Sequence, residues 1–269
     1  MNDPAAQSDL ARFRAVIAQQ IGLQFDDAKL DFLGHVLQRR LAQLQHSSAA
    51  YLWQLEEAAS RGEISALAQE LTIGETHFFR NNEQFRALAE VALPERMRAH
   101  PEAKTLRLLS AGCASGEEPY SIAICLSEDA PSQPARILAT DISTRALAAA
   151  EQGIYAAEKL KEFPRDWLHR YFLRGEGRSQ GRYRVKDGVR RMVEFRRLNL
   201  IEPWQFAKRF AVIFCRNVMI YFDRPSQARL VNRLAEYLEP GGYLLIGHAE
   251  SLNAIQHPLS YLEPTVYRK

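Results

Sequence analysis

The stretch SAGCASGEEPYS, Ser110 to Ser121, follows the short apolar run LRLL and leads directly into IAICL. A strand, a glycine-containing turn and a helix in this order form the first unit of a doubly wound fold, whose ligand lies at the carboxyl ends of the strands. The turn sets Glu117 and Glu118 where such folds normally cradle a phosphate. It lacks the spacing of a phosphate loop, and Gly112 and Gly116 do not match the dinucleotide pattern Gly-x-Gly-x-x-Gly. A pyrophosphate beside two carboxylates would meet like charges, at ~4 kcal/mol each for an intermediate dielectric. These residues disfavour a nucleotide phosphate. They also suit the opening of a helix, because acids complement its amino-terminal dipole and Pro119 fits its first turn.

Outward from this turn, short β-rich runs alternate with helical ones. LRLLSAG, PYSIAICLSEDA, RILATDIS and TRALAAAEQG predict parallel strands joined by crossover helices. Further strands are expected at RRMVEFRRLNL, FAVIFCRNV and GYLLIGHAE, with SYLEPTVYRK as a final edge strand. The glycine-rich stretch from Tyr171 onward, with Tyr183 and Val185 alternating, predicts a small antiparallel ribbon inserted at 171–197. The first eighty residues read instead as helices. Leu30, Leu33, Leu37, Leu41 and Leu44 recur at spacings of three and four on one stripe, and Ser47-Ser48 can cap a second helix. The expected organisation is an all-α amino-terminal domain (1–85), followed by an α/β, Rossmann-like domain (86–269) carrying the insertion.

At 269 residues, 46% hydrophobic and 25% charged, the chain has the composition of a globular protein. No apolar run reaches the ~20 residues that span a bilayer. The early acids of MNDPAAQSDLARFR do not resemble a secretory signal, so a cytoplasmic location is expected, without membrane insertion. Cys113, Cys125 and Cys215 form no paired spacing and read as packed free thiols; His77, His169 and His248 lack metal-ligand spacing, so no metal is assigned. The net charge of +3 is unevenly spread. Residues 1–100 hold 10 basic against 13 acidic residues, while 165–198 hold 11 against 4.

A cationic ligand reverses the sign of the phosphate argument. S-adenosylmethionine carries an ammonium and a sulfonium beside its adenosine and no phosphate, so carboxylates complement it. Asp141, closing the next strand in ILATDIS, stands where an acid accepts hydrogen bonds from ribose hydroxyls.

SAGCASGEEPYSIAI, ILATDIS, the arginine-ended THFFR and FCRNVMIYFD closely resemble the motifs of the chemotaxis receptor glutamate methyltransferases, the CheR family. The resemblance runs through essentially the whole chain to PTVYRK. It implies esterification of glutamate side chains on the cytoplasmic helices of chemoreceptors, with S-adenosylmethionine consumed and S-adenosylhomocysteine released. It implies cofactor contacts at Thr76, Arg80, Gly112, Glu118, Asp141, Asn199, Leu200, Arg216 and Asn217. It also places Tyr221 near the transferring methyl, and makes Arg80 and Tyr221 the catalytic pair. One departure is Gly74, where many members carry Asn; a contact made by that amide is absent or is replaced by Glu75. The resemblance further implies that a receptor's carboxyl-terminal pentapeptide can add as a strand to the β-subdomain.

Arg39, Arg40 and the basic ribbon are expected to steer docking on acidic receptor helices. The same ribbon would suit phosphate contacts, with Tyr171, Phe172 and Tyr183 as stacking surfaces, in a nucleic-acid methyltransferase. A non-catalytic adaptor that senses the cofactor is the third reading; the presence of Arg80 and Tyr221 counts against it. The expectation adopted is a monomeric receptor methyltransferase that binds no nucleic acid.

Overall fold

The computed structural model describes residues 4–57, 61–72, 76–101 and 105–269. The chain forms two compact units, Met1–Ile73 with Tyr221–Gln227, and Gly74–Ile220 with Ala228–Lys269.

The first unit is helical, with helices at Pro4–Gln20, Leu30–Leu44, Ser48–Glu56 and Arg61–Leu71. Of the predicted leucine stripe, Leu33 and Leu37 are buried together with Val36, while Leu30, Leu41 and Leu44 are half-buried. Ser47 caps the third helix, its hydroxyl accepting the N–H of Ala50 at 3.3 Å. Arg40 does not extend into solvent as a docking charge. Its guanidinium pairs with Glu63 at 2.5 Å and Glu70 at 3.4 Å, and the Tyr51 hydroxyl donates to the same Glu63 at 2.6 Å. Burial beside that carboxylate pushes the Tyr51 phenol well above its ordinary range. Arg39 pairs with Glu70 at 3.0 Å.

The second unit is built on two sheets. The strands, in chain order, are β1 (Leu106–Ala111), β2 (Ala135–Asp141), β3 (Ile154–Ala156), β4 (Phe172–Arg174), β5 (Arg182–Val185), β6 (Val193–Arg197), β7 (Phe210–Cys215), β8 (Leu238–Ile246), β9 (Ser260–Glu263) and β10 (Val266–Arg268). The large sheet has the order β6-β2-β1-β7-β8-β10-β9, in which β6, β2, β1, β7 and β8 run parallel, β10 runs antiparallel to β8, and β9 antiparallel to β10. Its central strands are buried along almost their whole length, all six residues in β7, as expected for a sheet covered on both faces.

Two expectations change in detail. The carboxyl terminus is a hairpin of two strands, because Thr265 takes a left-handed φ of 68° and folds β10 back between β8 and β9. The small sheet has the order β3-β5-β4, so it draws one strand from upstream of the predicted ribbon, while Val193–Arg197 joins the edge of the large sheet beside β2. The predicted stacking surfaces are partly consumed by this packing. Tyr171 and Phe172 are buried, and Phe172 meets Phe78 and Phe163 edge-on at centroid distances of 5.5 and 5.3 Å. Much of the local basic excess is also paired. Arg170 bonds Glu128 at 2.5 Å, Arg190 bonds Asp187 at 3.1 Å and Arg196 bonds Glu194 at 2.7 Å.

Candidate active site

From β1 the chain winds outward through β2 to β6, then crosses back to β7 on the other side of β1. Neighbouring connections therefore diverge at the carboxyl ends of β1 and β7, and that divergence opens a crevice. The turn Gly112–Gly116 leaves β1 at this point. Gly112 has a φ of +79°, and a Cβ there would lie 2.4 Å from Cγ2 of Val218; Gly116, at +93°, is pressed against Ala150. The N–H groups of Gly112 and Cys113 both donate to the carbonyl of Thr140, at 2.8 and 2.9 Å, which locks the turn to the end of β2.

Asp141 completes that lock. One carboxylate oxygen accepts the N–H of Ala114 and the other that of Ser143, both at 2.8 Å. Burial raises the Asp141 carboxyl above its ordinary range, against the backbone hydrogen bonds that lower it. The Leu198 N–H donates to the Asp141 carbonyl at 3.0 Å, bringing the segment after β6 to the same place. There Asn199 is buried and closes its own turn. Its amide donates to Glu202 at 3.0 Å and its carbonyl oxygen accepts the N–H of Ile201 at 3.3 Å. Leu200 is buried beside it.

The two acids of the turn have different partners. Glu117 is fully buried and pairs with Lys159 of the segment after β3, while Ser115 Oγ donates to its other oxygen at 2.6 Å. Glu118 accepts from Ser110 Oγ at 2.7 Å and from Arg216 Nη1 at 3.1 Å. Burial raises the Glu118 carboxyl, and the Arg216 charge opposes that rise. Each turn acid thus has its own cation. Asp141 has none among the described residues, its oxygens being held by backbone N–H groups instead.

Arg216 is the hub of the site. Only 5% exposed, it sits over the Phe85 ring at 5.6 Å and donates Nη2 to the carbonyl of Arg80 and to Asn81 Oδ1, the latter at 3.1 Å. It thereby joins the THFFRN segment to Glu118. That segment is itself held in unusual backbone, with φ of 52° at Phe79 and 61° at Asn81, and a left-handed Phe costs ~1–2 kcal/mol. Phe78 anchors it in an aromatic cluster, and the Phe79 N–H donates to Ser121 Oγ at 3.0 Å. Thr76 opens the segment half-buried. Gly74 and Glu75 lie outside the described residues.

Asn217, following Arg216, also has a left-handed φ of 57°. Its N–H and those of Val218, Met219 and Gly247 all donate to the carboxylate of Glu250, at 2.6 to 3.1 Å. Sequence reasoning missed Glu250, because it reaches a loop some thirty positions earlier and no local spacing betrays the contact. It missed Lys159 for the same reason. Tyr221 belongs to the helical unit, where its carbonyl accepts the Gln24 N–H at 2.9 Å.

The residues present suit S-adenosylmethionine. Asp141 offers acceptor capacity to a diol, and the buried Nε–H of Arg216 has no acceptor among the described residues. A doubly wound sheet with an acid at the end of its second strand, and a first turn that lacks the phosphate-loop and dinucleotide patterns, is the architecture of S-adenosylmethionine-dependent methyltransferases, and the family match places the chain among them. The chain belongs to the CheR methyltransferase family, whose model, described as CheR methyltransferase, SAM binding domain, matches residues 74–268. Chemotaxis protein methyltransferase 2 of Pseudomonas aeruginosa is 38% identical over 265 residues, covering 97% of this chain and 92% of its own. The chemotaxis protein methyltransferase of Salmonella typhimurium is 38% identical over 274 residues, covering 99% and 92%, and that of Escherichia coli 36% over 274 residues, covering 99% and 93%.

Proposed function

We propose that this methyltransferase esterifies glutamate side chains on the cytoplasmic helical region of chemoreceptors, and that the resulting methyl esters tune sensory adaptation. The observation that carries this reading is likeness over nearly the full chain to chemotaxis protein methyltransferases. S-adenosylmethionine, when bound, supplies an electrophilic methyl group on a sulfonium. Asp141 accepts hydrogen bonds from the ribose hydroxyls, and the Arg216–Glu118 pair fixes the wall formed by Ser110 and Arg80. Thr76, Gly112, Asn199, Leu200 and Asn217 complete the proposed cofactor contacts.

An acceptor glutamate with a pKa of ~4.3 is already an ionised nucleophile at neutral pH, so no side chain is assigned as general base. Transfer neutralises both charges, and a site that excludes water favours it. A guanidinium gripping the acceptor would stabilise the ground state more than the discharging transition state. Arg80 is therefore an orienting residue, acting on the methionine carboxylate of the cofactor or lightly on the acceptor. Tyr221 borders the methyl path.

The division at residue 85, with an insertion at 171–197, is proposed as a division of labour between receptor docking and methyl transfer. A cytoplasmic monomer, with the small sheet able to take a receptor's terminal pentapeptide as an added strand, belongs to the same reading.

The test is incubation with radiolabelled cofactor and receptor-bearing membranes. Label on the receptor that is lost in mild base marks an ester. Transfer to RNA or another substrate, with none to receptors, overturns the proposal.

A further inference from the structure

At the opposite end of the large sheet from the crevice, a cavity of about 780 Å³ opens between the amino ends of β1 and β2 and the last turn of the helix Glu117–Asp129. Its lining includes Arg107, Arg136 and Lys208 and, among the described residues, no carboxylate. Arg107 and Arg136 are register partners on adjacent parallel strands, so their side chains leave the same face of the sheet at a strand spacing of about 4.8 Å. Like charges placed opposite each other across strands repel, and a fold that keeps such a pair ordinarily supplies a counter-charge.

None is supplied by the described residues. Arg107, Arg136 and Lys208 take part in none of the ion pairs among them. Among the described residues, Arg136 donates to the carbonyl of Arg191, at 3.3 Å. Arg107 is held over the Phe210 ring at 5.6 Å, and its buried Nε–H has no acceptor among the described residues. The ring fixes the guanidinium beside the cavity without neutralising it. The remaining wall includes Leu126, Ala130 and Met192, an apolar surface beside the cations.

We infer that this cavity binds a small phosphate-bearing anion of at least two negative charges with an organic portion, of the chemical class of a nucleoside diphosphate. Paired arginines match phosphate oxygens through planar forks of N–H donors, Lys208 adds a third cation, and the volume lies within the ~300–1,000 Å³ of small-ligand sites. The five residues from Arg107 to Gly112 correspond to about 16 Å of strand, so the site is separate from the cofactor crevice. The inference does not rest on the methyl-acceptor assignment.

The test is calorimetric titration of the full chain at low salt, with ADP in one arm and inorganic pyrophosphate in the other, both with S-adenosylhomocysteine saturating. ADP is expected to bind, more tightly than pyrophosphate, with affinity falling as salt rises. Because Arg136 and Lys208 are exposed, the R136Q K208Q variant is expected to fold and to lose at least about tenfold in ADP affinity, a change of the size expected for lost charge-assisted contacts. Substituting the exposed Arg174 and Arg178 instead leaves it unchanged. Pyrophosphate binding as tightly as ADP overturns the organic portion of the ligand. Absence of heat in both arms, displacement of ADP by S-adenosylhomocysteine, or full ADP affinity in R136Q K208Q overturns the site. Tighter binding of single-stranded RNA through the same residues overturns the small-molecule class.

Discussion

The electrostatics of the crevice rest on single residues whose partners are not their sequence neighbours. Arg216 is buried and its charge is shared between Glu118 and the Arg80–Asn81 segment. Removing one member of a buried pair leaves the other without compensation, which costs ~3–5 kcal/mol. R216M is therefore expected to lose that much in denaturant unfolding, and E118Q R216M less than the sum of its single changes. Lost stability in R216M below about 1 kcal/mol would show that water reaches the pair, as in exposed ion pairs. The two raised carboxyls make a second prediction, with opposite signs for two measurements. Burial raises Glu118 and Asp141 above their ordinary ranges, so between the unfolded and folded pKa values the folded state binds more protons than the unfolded one. Their contribution to stability is thus fully present below the unfolded values and is lost as pH rises through the folded ones. Cofactor affinity runs the other way. Only ionised Asp141 accepts from both ribose hydroxyls, so affinity falls on acidification, beginning above the pH at which an ordinary aspartate titrates. Calorimetric titration of S-adenosylhomocysteine across this range, with D141N as the pH-insensitive control, checks it.

At the scale of elements, the crevice is a set of loops tied together by carboxylates. Glu250 gathers four N–H groups from the turns after β7 and β8, so the loop carrying Arg216 and Asn217 is shaped by a residue beyond the next strand. E250Q keeps the shape but turns one acceptor into a donor facing N–H groups, and hydrogen bonds to a charged acceptor contribute ~1.5–3 kcal/mol each. A loss of about 3 kcal/mol is expected, together with weaker S-adenosylhomocysteine binding. Unchanged cofactor affinity in a folded E250Q would detach this loop from the site. The contrast marks what the sequence discloses. Strand, turn and helix around Gly112 were legible because each is written in consecutive residues: apolar run, glycine, acid and proline. So was Asp141, because a strand end is a local signal. The counter-charges were not. Lys159 for Glu117, Arg216 for Glu118 and Glu250 for the β7 loop lie some 30 to 100 positions from their partners, and no periodicity links them. The pairing of both turn acids with cations inside the protein was invisible for that reason. The terminal hairpin was missed because its reversal rests on Thr265 at positive φ, where sequence habit expects Gly or Asn.

At the scale of the whole molecule, charge and burial divide the second unit by the direction of its strands. The carboxyl ends carry the compensated acids and Asp141; the amino ends carry Arg107, Arg136 and Lys208. Between them β1, β2 and β7 form a buried parallel core in which the strand backbone is paired on both sides. Such strands open only with global unfolding, whereas turns that hold strained or left-handed residues open locally at lower cost. Phe79, Asn81, Ala114 and Asn217 all take positive φ, and all lie in segments that border the crevice or are tied to it through Arg216. Ligand that fits these turns as they stand should shift their opening equilibrium while leaving the core at its ceiling. Hydrogen exchange with and without S-adenosylhomocysteine is expected to slow at least about tenfold in residues 78–81, 112–118, 141–143 and 216–219, which corresponds to ligand at roughly ten times its dissociation constant. The amides of β1 and β7 should not change beyond the increase in global stability, and β9, on the outer edge of the sheet, should exchange as before. Protection centred on residues 126–136 instead would place the cofactor at the amino ends of the strands, and the site assigned to Glu118, Asp141 and Arg216 would have to be abandoned.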